Sequence, residues 1–92
     1  NVPVLFHKDS TISPSSSLLP GSIVEPRAVI GCQTTIGSST VVGAGTVIEP
    51  YCFIGDGSTL RSGTIVKSTS IVDKNTVTNQ GTVLYVEEKK GE

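Results

Sequence analysis

A bulky apolar residue stands at every sixth position from Phe6 to Leu84. The series runs Phe6, Ile12, Leu18, Val24, Ile30, Ile36, Val42, Ile48, Ile54, Leu60, Val66, Val72, Thr78, Leu84, and only Thr78 breaks it. Four residues after each member comes a small one: Ser10, Ser16, Ser22, Ala28, Thr34, Thr40, Thr46, Cys52, Ser58, Thr64, Ser70, Thr76, Thr82. A period of six fits neither a helix at 3.6 nor a simple strand at 2. It fits a short strand followed by a corner, repeated along the chain. The large position fills the centre of a coil, and the small position points inward near a corner where a larger side chain has no room. Three such hexads close a triangular coil of eighteen residues, and successive coils stack as parallel strands about 4.8 Å apart.

The corners keep the same register. Gly31, Gly37, Gly43 and Gly55 each follow the apolar position directly, which predicts positive φ there. Pro14, Pro20, Pro26 and Pro50 sit one place further on. Proline restrains the residue before it to extended geometry. No hexad has both features, so two alternating corner types are expected.

This pattern resembles the hexapeptide repeat of left-handed parallel β-helices, and the resemblance covers nearly the whole chain without an insertion. It implies an all-β fold of about four triangular coils. The expected organisation is a lead-in at 1–5, the β-helix at 6–86 and a charged tail at 87–92. The left hand comes from the resemblance alone, since general crossover rules favour the right.

The residue before each apolar position should point outward. Stepping by eighteen gives one outward ladder of Val29, Val47, Ile65 and Val83, and a second of Leu5, Ile23, Val41, Thr59 and Val77. The third, Ser17, Thr35, Phe53 and Ile71, is mixed. Two apolar ladders exceed what a monomer ordinarily leaves in water. They predict self-association. The resemblance implies a homotrimer, with Val29, Val47, Ile65 and Val83 as the expected interface because that ladder is uninterrupted.

Composition narrows the picture. A net charge of −1 and only four aromatic residues carry no nucleic-acid footprint. No membrane span or signal peptide is present. The chain has no methionine, even at position 1, which reads as a piece of a longer protein. Two cysteines make no disulfide framework. Cys52 falls in a small inward slot and Cys32 at a corner, so free thiols and a cytoplasmic setting are expected. No ligand cluster for a metal is apparent. The single histidine, His7, cannot supply the three zinc ligands of a γ-type carbonic anhydrase.

The stretch Phe6-His7-Lys8-Asp9-Ser10-Thr11-Ile12-Ser13-Pro14-Ser15 is similar to the lead-in to the β-helix of bacterial sugar acetyltransferases of the sialic-acid O-acetyltransferase and bacillosamine-type N-acetyltransferase group. His7, Ile12, Ser13 and Pro14 match, and Lys8 replaces a proline. The resemblance implies acetyl-CoA as co-substrate and an upstream nucleotide-sugar-binding domain of the same chain. In that group a histidine acts as general base and an acidic neighbour orients it. The corresponding stretch here is Gly43-Ala44-Gly45-Thr46-Val47-Ile48-Glu49-Pro50-Tyr51. Gly45 and Ile48 match, Glu49 is a conservative change, Pro50 stands where the histidine belongs, and Tyr51 replaces a second aspartate. Proline accepts no proton. His7 and Glu49 are therefore the remaining candidates for a base. Gly43 and Gly45, with Gly55 and Gly57 of a Gly-Asp-Gly corner, are the candidates for contact with acetyl-CoA. Two readings stay open: an acetyltransferase-like domain by descent with doubtful activity, and a non-catalytic trimerisation scaffold.

Overall fold

The computed structural model describes residues 2–85 and is a parallel β-solenoid. Its strands are two residues long and form three parallel sheets, one on each face of a triangular prism. Sheet A stacks Leu5–Phe6, Ile23–Val24, Val41–Val42 and Thr59–Leu60; sheet B stacks Thr11–Ile12, Val29–Ile30, Val47–Ile48, Ile65–Val66 and Val83–Leu84; sheet C stacks Ser17–Leu18, Thr35–Ile36, Phe53–Ile54 and Ile71–Val72. Partners lie eighteen residues apart throughout, as in Ile30 with Ile48 and Ile48 with Val66. The expected tail at 87–92 lies outside the described residues.

The apolar series makes the core. Each coil contributes three inward side chains, one per sheet, and the layers Val24–Ile30–Ile36, Val42–Ile48–Ile54 and Leu60–Val66–Val72 are buried. Phe6 departs from the expectation. It is 62% exposed because it belongs to the first layer, which has a coil on one side only. Ile12 and Leu18 in that layer are half-buried.

The small slots do more than avoid a clash. Their hydroxyls and one thiol donate to a corner carbonyl fifteen residues later, in the next coil. Thr34 Oγ1 reaches Glu49 O at 3.2 Å, Thr40 Oγ1 reaches Gly55 O at 3.1 Å, Thr46 Oγ1 reaches Arg61 O at 3.2 Å, Cys52 Sγ reaches Lys67 O at 3.0 Å and Ser58 Oγ reaches Asp73 O at 3.0 Å. A buried hydroxyl needs such a partner. In these five slots the partner is supplied by the neighbouring coil and stitches two coils together, whereas Ser16 and Thr64 donate within their own corner and Ser22 and Ser70 have no partner among the described residues.

The corners correct the sequence reading. Positive φ recurs every sixth residue from Gly21 to Gly81, three places after the apolar position rather than one. The corner is a turn closed by bonds such as Ala28 N to Glu25 O (3.3 Å) and Thr46 N to Gly43 O (3.2 Å). Its third residue takes positive φ, as in a type II turn, and proline suits its second. Glycine-led and proline-led hexads are thus one corner type, not two. Gly31 and its equivalents serve a different purpose. A Cβ on Gly31 would stand 2.7 Å from Pro50 N, and one on Gly43 would stand 2.6 Å from Leu60 O. These glycines let the next coil approach; they are not needed for φ.

Thr78, the break in the series, is buried. The regular ladder would join Arg61 N to the Thr78 carbonyl. Instead Arg61 N donates to Thr78 Oγ1 at 3.1 Å, and Thr78 Oγ1 also meets Thr64 Oγ1 at 2.9 Å. The hydroxyl substitutes for the residue's own carbonyl. Sheet A consequently ends in an isolated bridge, Thr59 to Val77, rather than a further strand.

Candidate functional site

Three columns of corners run the length of the prism, and every candidate for the base or for contact with acetyl-CoA falls on one of them. The A–B column holds His7, Glu25, Gly43, Gly45, Arg61 and Gly63. The B–C column holds Gln33, Glu49, Pro50, Tyr51, Lys67 and Thr69. The C–A column holds Gly55, Asp56, Gly57, Asp73 and Lys74.

The two candidate bases are not brought together. His7 lies on the A–B column in the first coil, and Glu49 lies on the B–C column in the third. His7 Nδ1 accepts the Asp9 backbone N–H at 3.1 Å. That bond engages the Nδ1 side of the ring. The Asp9 carboxylate is 3.8 Å from Nδ1 and exposed. An open hollow of about 300 Å³, lined by Phe6, His7, Ser10, Ile12 and Leu18, sits at this end of the prism.

Glu49 is already engaged. Its Oε1 accepts the Ser68 N–H at 2.9 Å, and its Oε2 is 3.8 Å from Lys67 Nζ. The carboxylate closes the corner of the next coil. Asp56 on the C–A column reaches the other way, to the preceding coil, where Oδ1 accepts the Ser38 N–H at 2.8 Å. Beside Glu49, Pro50 offers only its carbonyl, which accepts Thr69 N–H at 3.2 Å. Tyr51 is exposed and holds φ at 66°. In the corner at residues 49–52, Glu49 is the one carboxylate, and it is engaged by Ser68 and Lys67.

The candidate acetyl-CoA glycines split between two columns. Gly43 borders a groove of about 170 Å³ between Glu25 and Arg61, which Gly45 does not line. Gly55 borders a separate groove of about 290 Å³ with Phe53, Asp56, Ile71 and Lys74. Gly45 has positive φ and open space around it. Gly57 also has positive φ and packs against the Asn75 side chain. Both grooves are at or below the lower limit for enclosing even a drug-sized ligand. A single chain does not enclose acetyl-CoA.

The sheet B ladder is assembled as expected. Val29, Val47, Ile65 and Val83 align in register on one outer face, with Val29 and Val83 exposed and Val47 and Ile65 half-buried. Leu5, Ile23, Val41, Thr59 and Val77 align on sheet A in the same way. Cys32 and Cys52 are free, and burial pushes the Cys52 thiol up from its ordinary pKa. Among the described residues no helix is long and apolar enough to cross a membrane.

A family model described as bacterial transferase hexapeptide (six repeats) matches residues 27–62. Residues 27–62 carry the bacterial transferase hexapeptide repeat. No curated protein sequence matches it. Two solved structures share the fold of this hexapeptide-repeat chain. A mutant of GDP-perosamine N-acetyltransferase from Caulobacter crescentus, in complex with CoA and GDP-perosamine, is 21% identical with a TM-score of 0.71, over 91% of this chain and 50% of that one. The acetyltransferase domain of PglB from Neisseria gonorrhoeae, in complex with acetyl coenzyme A, is 18% identical with a TM-score of 0.54, over 91% and 52%. The chain spans about half the length of these structures. The likeness is one of fold.

One group escaped the sequence reading. Gln33, Tyr51 and Thr69 occupy the positive-φ position in three successive coils of the B–C column. Once that position is known to lie three places after the apolar residue, the absence of glycine at all three is visible in the sequence.

Proposed function

We propose that this hexapeptide-repeat chain is an assembly module on an acetyl-CoA-dependent sugar acetyltransferase fold, with transfer itself lost. The observation that carries the reading is the B–C corner. Pro50 has no proton acceptor in its side chain, Glu49 is held by Ser68 and Lys67, and His7 is on another column with Nδ1 already bonded. General-base catalysis needs a group within hydrogen-bond reach of the proton it takes. The assembly is a homotrimer, and the upstream part of the same protein is a nucleotide-sugar-binding domain displayed by it. In a cyclic trimer each contact is heterologous, joining one face to a different face of the next copy. Sheets A and B suit this, because their two apolar ladders flank the same corner column.

Acetyl-CoA enters this reading as a ligand of the cleft between copies, since neither single-chain groove is large enough. Its chemistry there would be that of an acetyl thioester donor. Arg61 and Lys74, one beside each groove, would be available to its phosphates.

The test combines sedimentation with an acetyl-transfer assay on amino and hydroxyl sugars. A mass of three chains and no turnover of acetyl-CoA are expected. A monomer, or turnover by the unaltered chain, overturns the reading. Calorimetry with acetyl-CoA on the same sample shows whether the cleft still binds it. The Pro50→His variant then asks whether the base is the sole missing part.

A further inference from the structure

The A–B column is the corner with the barest backbone. Gly45, Gly63 and Gly81 hold its turn in three successive coils. A Cβ added to Gly45 or Gly81 would meet nothing within 4 Å, and one on Gly63 would come no nearer than 3.7 Å to the Gly81 backbone. Glycine permits close approach of a neighbouring backbone. The B–C column carries Gln33, Tyr51 and Thr69 at the same place. Sheets A and B, with the two apolar ladders, meet along the A–B column. In a threefold assembly of those two sheets, that column is the edge nearest the axis.

The first coil brings His7 to this column. His7 is the single histidine of the chain and is exposed. Its Nδ1 accepts the Asp9 N–H at 3.1 Å and stands 3.8 Å from Asp9 Oδ2, while its Nε2 has no partner among the described residues. Glu25 holds the same corner place one coil later; it is exposed and makes no ion pair among the described residues. The cations of these two corners, Lys8 and Arg27, are matched by Asp9 and Glu25.

We propose that three His7 side chains, one from each copy, bind a single divalent cation of the zinc or cobalt kind on the axis. The inference rests on the trimer proposed above. Each ring would give Nε2 to the ion and carry its proton on Nδ1. There the Asp9 carboxylate would take the hydrogen bond in place of the Asp9 N–H, the usual way a ligating imidazole is oriented. Imidazole nitrogen favours such ions over magnesium or calcium. One chain holds no group of three metal-ligating side chains among the described residues, so the site is incomplete without the partner copies. Its ligands are one residue repeated by symmetry; the ion clamps the axis and performs no step.

The test adds cobalt(II) to the untagged, metal-stripped protein and sediments the same sample. About one ion per three chains is expected, with the visible absorption of cobalt at a nitrogen-ligated site and a raised unfolding midpoint. His7→Ala should abolish the absorption and the rise while keeping the mass of three chains, because His7 is exposed. Asp9→Asn should weaken cobalt binding about tenfold or more, the scale of a lost partner to a ligating histidine. A trimer that takes no cobalt overturns the site and leaves the assembly standing. A monomer overturns the assembly and the site with it. One ion per chain, or cobalt binding that survives His7→Ala, also overturns the site.

Discussion

Replacing glycine by alanine at two positions of one corner type should cost very different amounts. Gly45 has φ +70° and no heavy atom within 4 Å of an added Cβ. The penalty of Gly45→Ala is conformational only, about 1–2 kcal/mol for an L residue in the left-handed region. Reduced freedom of the unfolded chain offsets about 0.4–1 kcal/mol of that. Gly31 needs no positive φ, but a Cβ there would meet Pro50 N at 2.7 Å and Glu49 C at 2.9 Å. Those are backbone atoms of the next coil and cannot swing aside. The Gly31 N to Ile48 O bond, now 2.8 Å, would have to lengthen by several tenths of an ångström. Overpacking of this kind costs about 1–3 kcal/mol and occasionally more, and lost inter-coil hydrogen bonding adds about 1 kcal/mol. Gly31→Ala should therefore destabilise by about 3 kcal/mol and Gly45→Ala by about 1 kcal/mol or less. The unfolded-state gain is the same in both, so the difference reports on the native state alone. At about 4–8 °C per kcal/mol for a domain of this size, the two melting midpoints should differ by about 10 °C. Thermal unfolding followed by circular dichroism at one fixed protein concentration measures the midpoints, and urea unfolding the free energies. An equal or larger loss for Gly45→Ala would refute the assignment of the two glycine positions.

Thr34→Val keeps the volume of a buried slot but removes the hydroxyl bond to Glu49 O, and should cost about 1 kcal/mol in the same unfolding assay. Ser22 Oγ is buried without a partner among the described residues, so Ser22→Ala should be neutral or slightly stabilising by that measure. Cys32 should react with a thiol reagent well before Cys52, whose thiol is buried and has its pKa raised chiefly by desolvation. The same shift has a sign in stability. Below the unfolded thiol pKa of about 8.5 its contribution is complete, and above that the unfolded state loses its proton first, so stability falls as pH rises. Cys52→Ser should flatten that alkaline fall. Ile65→Lys puts a charge into the middle of the sheet B ladder and, on the proposed trimer, should reduce the sedimenting mass to that of a monomer. Ser17→Lys, on the polar end of the sheet C ladder, should leave the mass unchanged.

The interior was legible because it repeats with one period. Val24 to Val72 occupy the buried series that the pattern predicts, and the slots from Ser22 to Ser70 are buried as expected. The first layer was misread at Phe6 because a periodic pattern carries no information about where stacking stops. The corner glycines were misread because sequence alone does not say whether a glycine is kept for its φ or for the room it leaves. Gly31 and Gly45 are the same letter with opposite reasons, and only the distance to the next coil separates them. The slot hydroxyls looked merely small; their partners lie fifteen residues away, beyond any local motif. At the candidate site, Pro50 was visible as a missing base. The engagement of Glu49 by Ser68 depends on which corners stack, and could not be read from spacing within one coil.

The inside of the prism repeats every six residues, whereas its outside repeats every eighteen. Excising one hexad would leave each later apolar residue still facing the axis, since the core does not distinguish the three faces. It would also turn everything downstream by a third of a revolution. Val83 would leave the column of Val29, Val47 and Ile65 and lie over a different sheet. Folding alone would tolerate length changes in units of six. A surface that must present whole columns tolerates only units of eighteen. The eighteen-residue step holds along each ladder, from Leu5 to Thr59 on sheet A and from Thr11 to Val83 on sheet B, so the outer columns exist only because no hexad is gained or lost between them.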